Sequence, residues 1–209
     1  MNRFREVLAV ASLLTAAAPF AAAHFQLLAP DSWLSESKLG DPQKVWPCGG
    51  PATATSAVTG MVSKAVGGSM LHIKVQETVY HPGHYRIALA VNSRDELPKD
   101  PDVVMKDGAK GPMSVSTVIQ SPVQPPLLAD GLFVHGLKSP ETDFVTQKPW
   151  ETDVRLPNIT CAKCTLQIAQ FMAEHGRNKD GDFTYHHCAD ITITADPSKP
   201  IDKAWPVKK

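Results

Sequence analysis

Three segments of the chain alternate between hydrophobic and polar residues in the way that is typical of half-buried β-strands. They are residues 70–75, 85–91 and 190–194. The predicted inward-facing residues are Leu71, Ile73 and Val75 in the first segment, Tyr85, Ile87, Leu89 and Val91 in the second, and Ile191 and Ile193 in the third. This pattern predicts a sheet with one face packed against a core.

Other parts of the chain are less regular. Residues 164–172 are apolar enough for a buried strand, although the pattern alone leaves a helix open. Segment 92–157 is rich in proline and predicts one or two short strands, 114–119 and 132–135, among long loops. The chain contains 18 prolines and 13 glycines, which interrupt it too often for a bundle of long helices. We therefore predict an all-β fold, an antiparallel immunoglobulin- or fibronectin-like β-sandwich with long loops.

The N-terminus has the pattern of a secretory signal peptide. Two arginines precede a mostly apolar stretch over residues 7–18, and a run of three alanines then forms a small-residue cleavage site. Cleavage after Ala23 would remove residues 1–23 and leave a single predicted domain, 24–209, in the periplasm or outside the cell. Its first residue would be His24, whose free α-amine and imidazole can together close a chelate ring on one metal ion.

Charge and cysteine content narrow the possible functions. The chain has 21 basic and 21 acidic residues, and this neutrality argues against nucleic acid or an anionic membrane as the main partner. No later apolar run is long enough to cross a bilayer. Four cysteines in an oxidising compartment predict two disulfides, for which the count alone leaves three pairings open. These cysteines are Cys48, Cys161, Cys164 and Cys188.

A tight turn in the middle of the chain carries two histidines. Pro82 and Gly83 predict the turn, with His81 before it and His84 at the start of the next strand. A histidine held on a turn at a strand edge is exposed and oriented, which suits a metal ligand. A polar turn residue is the alternative interpretation. The two histidines at one turn, together with the predicted N-terminal histidine, favour a metal site.

A third segment of interest begins at Tyr185. Strand alternation places Tyr185 and His187 on one face and His186 and Cys188 on the other. Tyr185 is therefore either a core residue or an aromatic cap over a metal. Because adjacent residues of a strand point in opposite directions, at most one of the two histidines could join the site.

These segments occur in an order that makes a resemblance specific. The order is His24-Phe25, then His81-Pro82-Gly83-His84-Tyr85, then Cys161-Ala162-Lys163-Cys164-Thr165-Leu166-Gln167, then Tyr185-His186-His187-Cys188-Ala189-Asp190-Ile191. With these motifs the chain resembles the lytic polysaccharide monooxygenases and their bacterial look-alikes. Those proteins share a processed N-terminal histidine, a mid-chain His-x-Gly-x-aromatic segment and a late Tyr-x-x-Cys-Ala-Asp/Gln-Ile strand.

The resemblance implies a copper site of the histidine-brace type, with one copper ion per chain. Its ligands would be the amine and imidazole of His24 together with the imidazole of His81, and His84 is the alternative ligand. Tyr185 would be the aromatic residue on the axial side of the copper. In an active enzyme His24, His81 and Tyr185 would be the catalytic residues.

The resemblance also implies a disulfide pairing, and the chain departs from the family pattern at two positions. It pairs Cys48 with Cys188, which leaves Cys161 and Cys164 to close a tight local loop. Many family members have tryptophan where this chain has Ile168. Fungal members have a glutamine that helps to position oxygen where this chain has Phe183.

Three functions compete at this point. The leading expectation is a secreted, monomeric monooxygenase that cleaves polysaccharide oxidatively and takes electrons from an external donor. The alternative is a non-catalytic copper-binding or copper-trafficking protein with the same brace and a copper-handling partner. A β-sandwich binding module without metal is the third. The resemblance assigns no role to His186, His187 or Glu77. Enzymes acting on crystalline polymers present flat faces with exposed aromatic residues, and the sequence does not place Trp33, Trp46, Trp150 or Trp205 beside the copper.

Overall fold

The computed structural model describes residues 24–109, 111–136 and 148–205. The predicted signal peptide, residues 1–23, lies outside the described residues. Within these ranges the fold consists of ten β-strands and one short 3-10 helix, Arg94–Glu96. The strands are β1 (His24–Ala29), β2 (Val62–Val66), β3 (Met70–Val79), β4 (Gly83–Ala90), β5 (Val103–Gly108), β6 (Gly111–Thr117), β7 (Leu127–His135), β8 (Trp150–Arg155), β9 (Cys161–Met172) and β10 (Thr184–Thr194). No helix in the described ranges is both long and apolar enough to cross a membrane.

Two sheets form the sandwich. One has three strands in the order β1-β3-β8, and the other has five in the order β2-β10-β9-β4-β7. A separate two-stranded sheet is formed by β5 and β6. The predicted all-β sandwich is confirmed, with one exception to its antiparallel pairing: β2 runs parallel to β10, from Asp190 opposite Val62 to Thr194 opposite Val66.

The core lies between the two sheets and includes most of the predicted inward-facing residues, with Leu71 and Val91 only partly buried at its margin. Phe25, Ile73 and Val75 from the three-stranded sheet pack against residues such as Ile87 and Ile191 from the five-stranded one. All five are fully buried. Burying each such side chain contributes about 1.5–3 kcal/mol relative to exposure, so this layer is the main source of stability.

The position of β9 in the fold explains why its sequence pattern alone leaves a helix open. It lies between β10 and β4 in the centre of the larger sheet, from Cys161 to Met172. A second buried cluster covers the other face of this sheet; its members are Cys48, Ala88, Ala90, Leu97, Leu127 and Cys188. A strand buried on both faces has no solvent-exposed side, so its sequence does not need to alternate strictly between hydrophobic and polar residues. In β9 the polar residues Thr165, Gln167 and Gln170 are themselves buried.

The disulfide pairing implied by the resemblance is confirmed. Cys48 bonds to Cys188, which ties the loop after β1 to the middle of β10. Cys161 bonds to Cys164 within the start of β9.

The two disulfides should differ in their contribution to stability. Cys48–Cys188 joins residues 140 apart, whereas Cys161–Cys164 joins residues 3 apart. Constraint of the unfolded chain then contributes about 5 kcal/mol for the long loop and less than about 2 kcal/mol for the short one. Urea unfolding of the double alanine variants Cys48→Ala/Cys188→Ala and Cys161→Ala/Cys164→Ala should therefore show a larger loss for the first. Equal losses would contradict this account.

Candidate metal centre

Three strand ends and a turn bring the predicted site residues to one end of the sandwich. His24 begins β1, where it lies opposite Val79 at the end of β3. His81 lies in the turn between β3 and β4. Tyr185 is near the start of β10, opposite Gln170 close to the end of β9. The backbone register therefore gathers His24, His81 and Tyr185 at the same edge of the fold.

His24 is buried and oriented by an acidic neighbour. Its Nε2 lies 3.5 Å from Oδ2 of Asp41, and the residue is 6% exposed. The hydrogen bond from His24 is the main cause that lowers the pKa of the Asp41 carboxyl. Asp41 is therefore a carboxylate that accepts a hydrogen bond from Nε2 of His24. This places the proton of the neutral imidazole on Nε2 and the lone pair on Nδ1.

His81 is held in the opposite tautomer. Its Nδ1 donates to the carbonyl of Pro82 at 3.2 Å, which leaves the lone pair on Nε2. The same carbonyl accepts a hydrogen bond of 2.8 Å from the backbone N–H of Ala173, beyond the end of β9. Burial lowers the pKa of His81 to about 4, partly opposed by the bond to Pro82. His81 is thus neutral at physiological pH and can offer its lone pair to a metal.

Tyr185 packs against the His24 ring. The two ring centroids are 5.5 Å apart in an edge-on arrangement, and Tyr185 is fully buried. Its hydroxyl donates to Oδ1 of Asn178 at 3.4 Å. Burial raises the pKa of Tyr185 to about 12, so the phenol keeps its proton.

Sequence reasoning missed His175, a second aromatic neighbour of this group. Its ring lies 4.8 Å from the ring of His81 and 6.2 Å from that of Tyr185, and it is 5% exposed. His175 lies in the connection between β9 and β10, far from the recognisable motifs. Only its histidine side chain could have marked it, and a lone histidine in a loop is a weak signal.

Glu77 is a buried residue whose carboxyl group contacts three polar side chains next to the turn that carries His81. Its Oε1 accepts from the hydroxyl of Tyr85 at 3.0 Å and from the side-chain amide of Gln170 at 2.8 Å. His135 Nε2 lies 3.0 Å from the same oxygen and 2.5 Å from the backbone carbonyl of His81. Burial works to lower the pKa of His135, but the bond and charge of Glu77 outweigh it and raise the pKa overall. Glu77 and His135 therefore hold the turn that carries His81.

His84 lies on the other face of β4. Its Nε2 is 3.8 Å from Oδ1 of Asp130, whose Oδ2 is 3.6 Å from Nε of Arg86. The ring also packs against Phe171, 5.2 Å away. Because neighbouring residues of a strand alternate, Tyr85 points into the core and His84 points out. The geometry therefore favours His81 over His84 as a ligand.

His186 and His187 have separate structural partners. Nε2 of His186 lies 2.7 Å from Oδ1 of Asp100 on the outer face. On the inner face, Nε2 of His187 donates to the carbonyl of Phe25 at 2.9 Å, and its Nδ1 lies 3.1 Å from Oε1 of Glu36. Oε2 of Glu36 accepts the backbone N–H of Leu27 at 3.1 Å. His187 and Glu36 thus hold β1 directly after His24.

No three His, Cys, Asp or Glu side chains within the described ranges form a group that could hold a metal ion. A histidine brace takes two of its three nitrogens from one residue, and one of those two is a backbone amine. Such a site needs only two histidine side chains, so it depends on the orientation of His24 and His81 and does not require a cluster of three side chains.

Comparison with known proteins finds little. No protein-family model matches the chain, and no curated protein matches it. Among solved structures, a chitin-binding domain from Burkholderia pseudomallei is similar, with 12% identity, covering 83% of this chain and 100% of that chain, and a TM-score of 0.44. So distant a likeness carries no argument about what this chain binds.

The buried Glu36 should give stability a defined pH dependence. Burial raises its pKa from 4.5 to about 7. Between these values the folded state holds a proton that the unfolded state has lost, so the contribution of Glu36 to stability falls as pH rises from about 4.5 to about 7 and is constant above that. In Glu36→Gln this contribution is absent. The free energy of unfolding of the wild type, minus that of the variant, should decrease by up to about 3 kcal/mol across this window.

Urea unfolding of both proteins at several pH values between 4.5 and 8 measures this difference. All histidines are the same in the two proteins, so their contributions largely cancel. A difference that does not change with pH would show that the pKa of Glu36 is the same in the folded and unfolded states.

Proposed function

We propose that the chain, once cleaved before His24, binds one copper ion through His24 and His81 and serves to bind and transfer copper outside the cytoplasm. The complementary tautomers of the two histidines carry this proposal. Asp41 faces the Nε2–H of His24, and the carbonyl of Pro82 accepts a hydrogen bond from the Nδ1–H of His81. A first-residue histidine closes a chelate ring with its amine and Nδ1, and a second histidine can then approach with Nε2. The residues present fit this arrangement at both nitrogens.

The chemistry of the donors favours copper over other metals. Neutral nitrogen ligands in a tetragonal arrangement suit Cu(II), which also has the highest affinity among the divalent first-row metals. Zinc prefers a tetrahedral set and would need a fourth ligand. Copper held in this way would supply one-electron redox chemistry.

The surrounding residues support binding before any metal arrives. Burial of His81 keeps it neutral, so it need not lose a proton to bind. Asp41 and the Pro82 carbonyl act as outer partners that orient the two imidazoles, as is common around metal-bound histidines. The α-amine, with an ordinary pKa near ~8, is then the group that must be deprotonated. Two disulfides are typical of a protein exported to an oxidising compartment.

Oxidative cleavage of polysaccharide with an external electron donor is the second candidate function. The contact of Tyr185 with His24 supports it, because an axial aromatic residue would shield one side of the metal and leave the plane accessible. The tryptophans favour copper handling instead, since each is engaged within the fold. Arg94 lies 3.6 Å over the ring of Trp33, Lys99 lies 3.0 Å over that of Trp46, Trp150 stacks on Phe133 and His135, and Trp205 packs against the core.

Copper affinity should depend on a free amine at His24. A chain that begins at His24 should bind one Cu(II) tightly, whereas a chain with one extra methionine before His24 should bind at least about 10-fold more weakly, because an amide nitrogen replaces the amine. Competition titration against a chelator of known affinity measures both.

Two variants of the mature chain are titrated in the same way, one at a proposed ligand and one as a matched control. His81→Gln removes a proposed ligand and should weaken binding strongly. His72→Gln changes a half-exposed histidine that pairs with Glu151 and Asp153, and it should leave affinity unchanged. Equal affinity of the mature and the extended chain would overturn the brace.

The two candidate functions give different products with glycans. If the role is copper handling, the copper-loaded mature chain with ascorbate should release no oxidised oligosaccharides from chitin, cellulose or other glycans. Mass spectrometry of the soluble fraction measures this, with a known lytic enzyme as the positive control. Oxidised products that disappear in His81→Gln would establish the second candidate.

A further inference from the structure

Strand β1 has one edge that no other strand covers within the described ranges. It lies at the side of the three-stranded sheet and pairs with β3 alone. In an antiparallel pair, alternate residues turn their N–H and C=O groups toward the partner strand, and the residues between them turn these groups away. In β1 Phe25 and Leu27 turn them away, because their backbone groups bond to side chains from other parts of the chain.

Three side chains close this edge of β1. The N–H of Phe25 donates to Oε1 of Gln43 at 3.1 Å, and its carbonyl accepts from Nε2 of His187 at 2.9 Å. The N–H of Leu27 donates to Oε2 of Glu36 at 3.1 Å. Burial lowers the pKa of His187 to about 4, so its ring is neutral and keeps one N–H to donate. Side chains therefore satisfy the backbone groups that a neighbouring strand would otherwise bind.

Gln43 connects β1 to the larger sheet. Its side chain is fully buried, and its Nε2 donates to the carbonyl of Leu39 at 3.3 Å, which fixes the orientation of the amide group. Its backbone carbonyl accepts the N–H of His186 in β10 at 2.7 Å. Gln43 is thus bonded to both sheets at the end of the sandwich where His24 lies.

The bond between Phe25 and Gln43 acts on the part of the backbone that carries the His24 amine. A peptide group is planar, and the plane that contains the N–H of Phe25 also contains the carbonyl and Cα of His24. The amine and the side chain of His24 are both attached to this Cα. Chain ends are poorly ordered unless contacts tie them down. In a chain that begins at His24, the first amide N–H is that of Phe25, and Gln43 holds it.

We propose that Gln43 is a positioning residue for copper binding, which holds the first peptide group of the mature chain so that the His24 amine lies in position before the metal binds. This inference rests on the proposed function, since it concerns how the same site is prepared. Gln43 acts through the backbone and is not itself a ligand. A ligand already held in its bound geometry loses less freedom on binding, which raises affinity.

A double-mutant cycle separates positioning of the amine from a general structural effect. It combines Gln43→Met, which keeps the side-chain length but removes the acceptor, with one extra methionine before His24, which removes the amine. In the chain that begins at His24, Gln43→Met should weaken Cu(II) binding about 10-fold in the competition titration. In the extended chain the same substitution should change the affinity less than about 2-fold, because no amine remains to be positioned.

Gln120→Met is the matched control for this substitution. Gln120 makes the same kind of bond, since its Oε1 accepts the N–H of Gln124 at 3.0 Å, but it lies in the connection between β6 and β7. Its replacement should leave the Cu(II) affinity unchanged in both chains. The electron paramagnetic resonance spectrum of bound Cu(II) should change in Gln43→Met and stay the same in Gln120→Met. Unfolding curves of the metal-free proteins verify that each variant is folded.

The possible outcomes separate this inference from the brace itself. Equal Cu(II) affinity of the mature wild type and mature Gln43→Met would overturn the positioning role and leave the brace intact. An equal loss in the mature and extended chains would overturn it too, since the effect would not then act through the amine. If the mature wild type bound Cu(II) no better than the extended wild type, the brace itself would be wrong.

Hydrogen exchange of the wild type needs no substitution and covers the case in which Gln43→Met fails to fold. In the metal-free mature chain, the amide proton of Phe25 should exchange at least about 100-fold more slowly than in an unstructured chain, because Gln43 already holds it. Nuclear magnetic resonance measures this rate residue by residue. Exchange as fast as in an unstructured chain, slowed only after Cu(I) is added, would show that the metal and not Gln43 orders the chain end.

Discussion

A buried neutral imidazole has one N–H to satisfy, and this constraint organises the whole end of the sandwich. The carboxylate of Asp41 faces the N–H of His24 at Nε2, and the carbonyl of Pro82 accepts the N–H of His81 at Nδ1. Leaving such a donor buried without a partner would cost about 1–3 kcal/mol, so each ring is held firmly in one tautomer. The two choices are opposite, and each leaves a lone pair on the nitrogen that a brace needs.

The rest of the fold keeps these acceptors in place. His187 binds the carbonyl of Phe25, Glu36 binds the N–H of Leu27, and the side-chain oxygen of Gln43 accepts the N–H of Phe25 at 3.1 Å. The turn that carries His81 is held by His135, whose Nε2 contacts both Oε1 of Glu77 and the carbonyl of His81. Several of these residues are polar or ionisable and fully buried, which is costly unless every group is paired. Their concentration at one end of an otherwise apolar core indicates that this end is built for a site.

The fold by itself does not choose between the two proposed functions, because a fold does not determine chemistry and the site does. The ring of His175 lies 4.8 Å from the ring of His81, and Ser114 of the β5–β6 sheet holds the backbone of His175.

Much of the fold and part of the site could be predicted from the sequence, because the relevant information is local. Alternation over a few residues predicts β3 and β4 and the end of β10, and the motifs around His24, His81 and Tyr185 lie within short segments. Other features depend on contacts between residues far apart in the chain. His135 reaches the His81 carbonyl across 54 residues, and Ser114 holds His175 across 61. No periodicity or spacing encodes such pairs, so the contacts of Glu77 and the position of His175 beside His81 were decided only by the packing of the sheets, which brings their partners together.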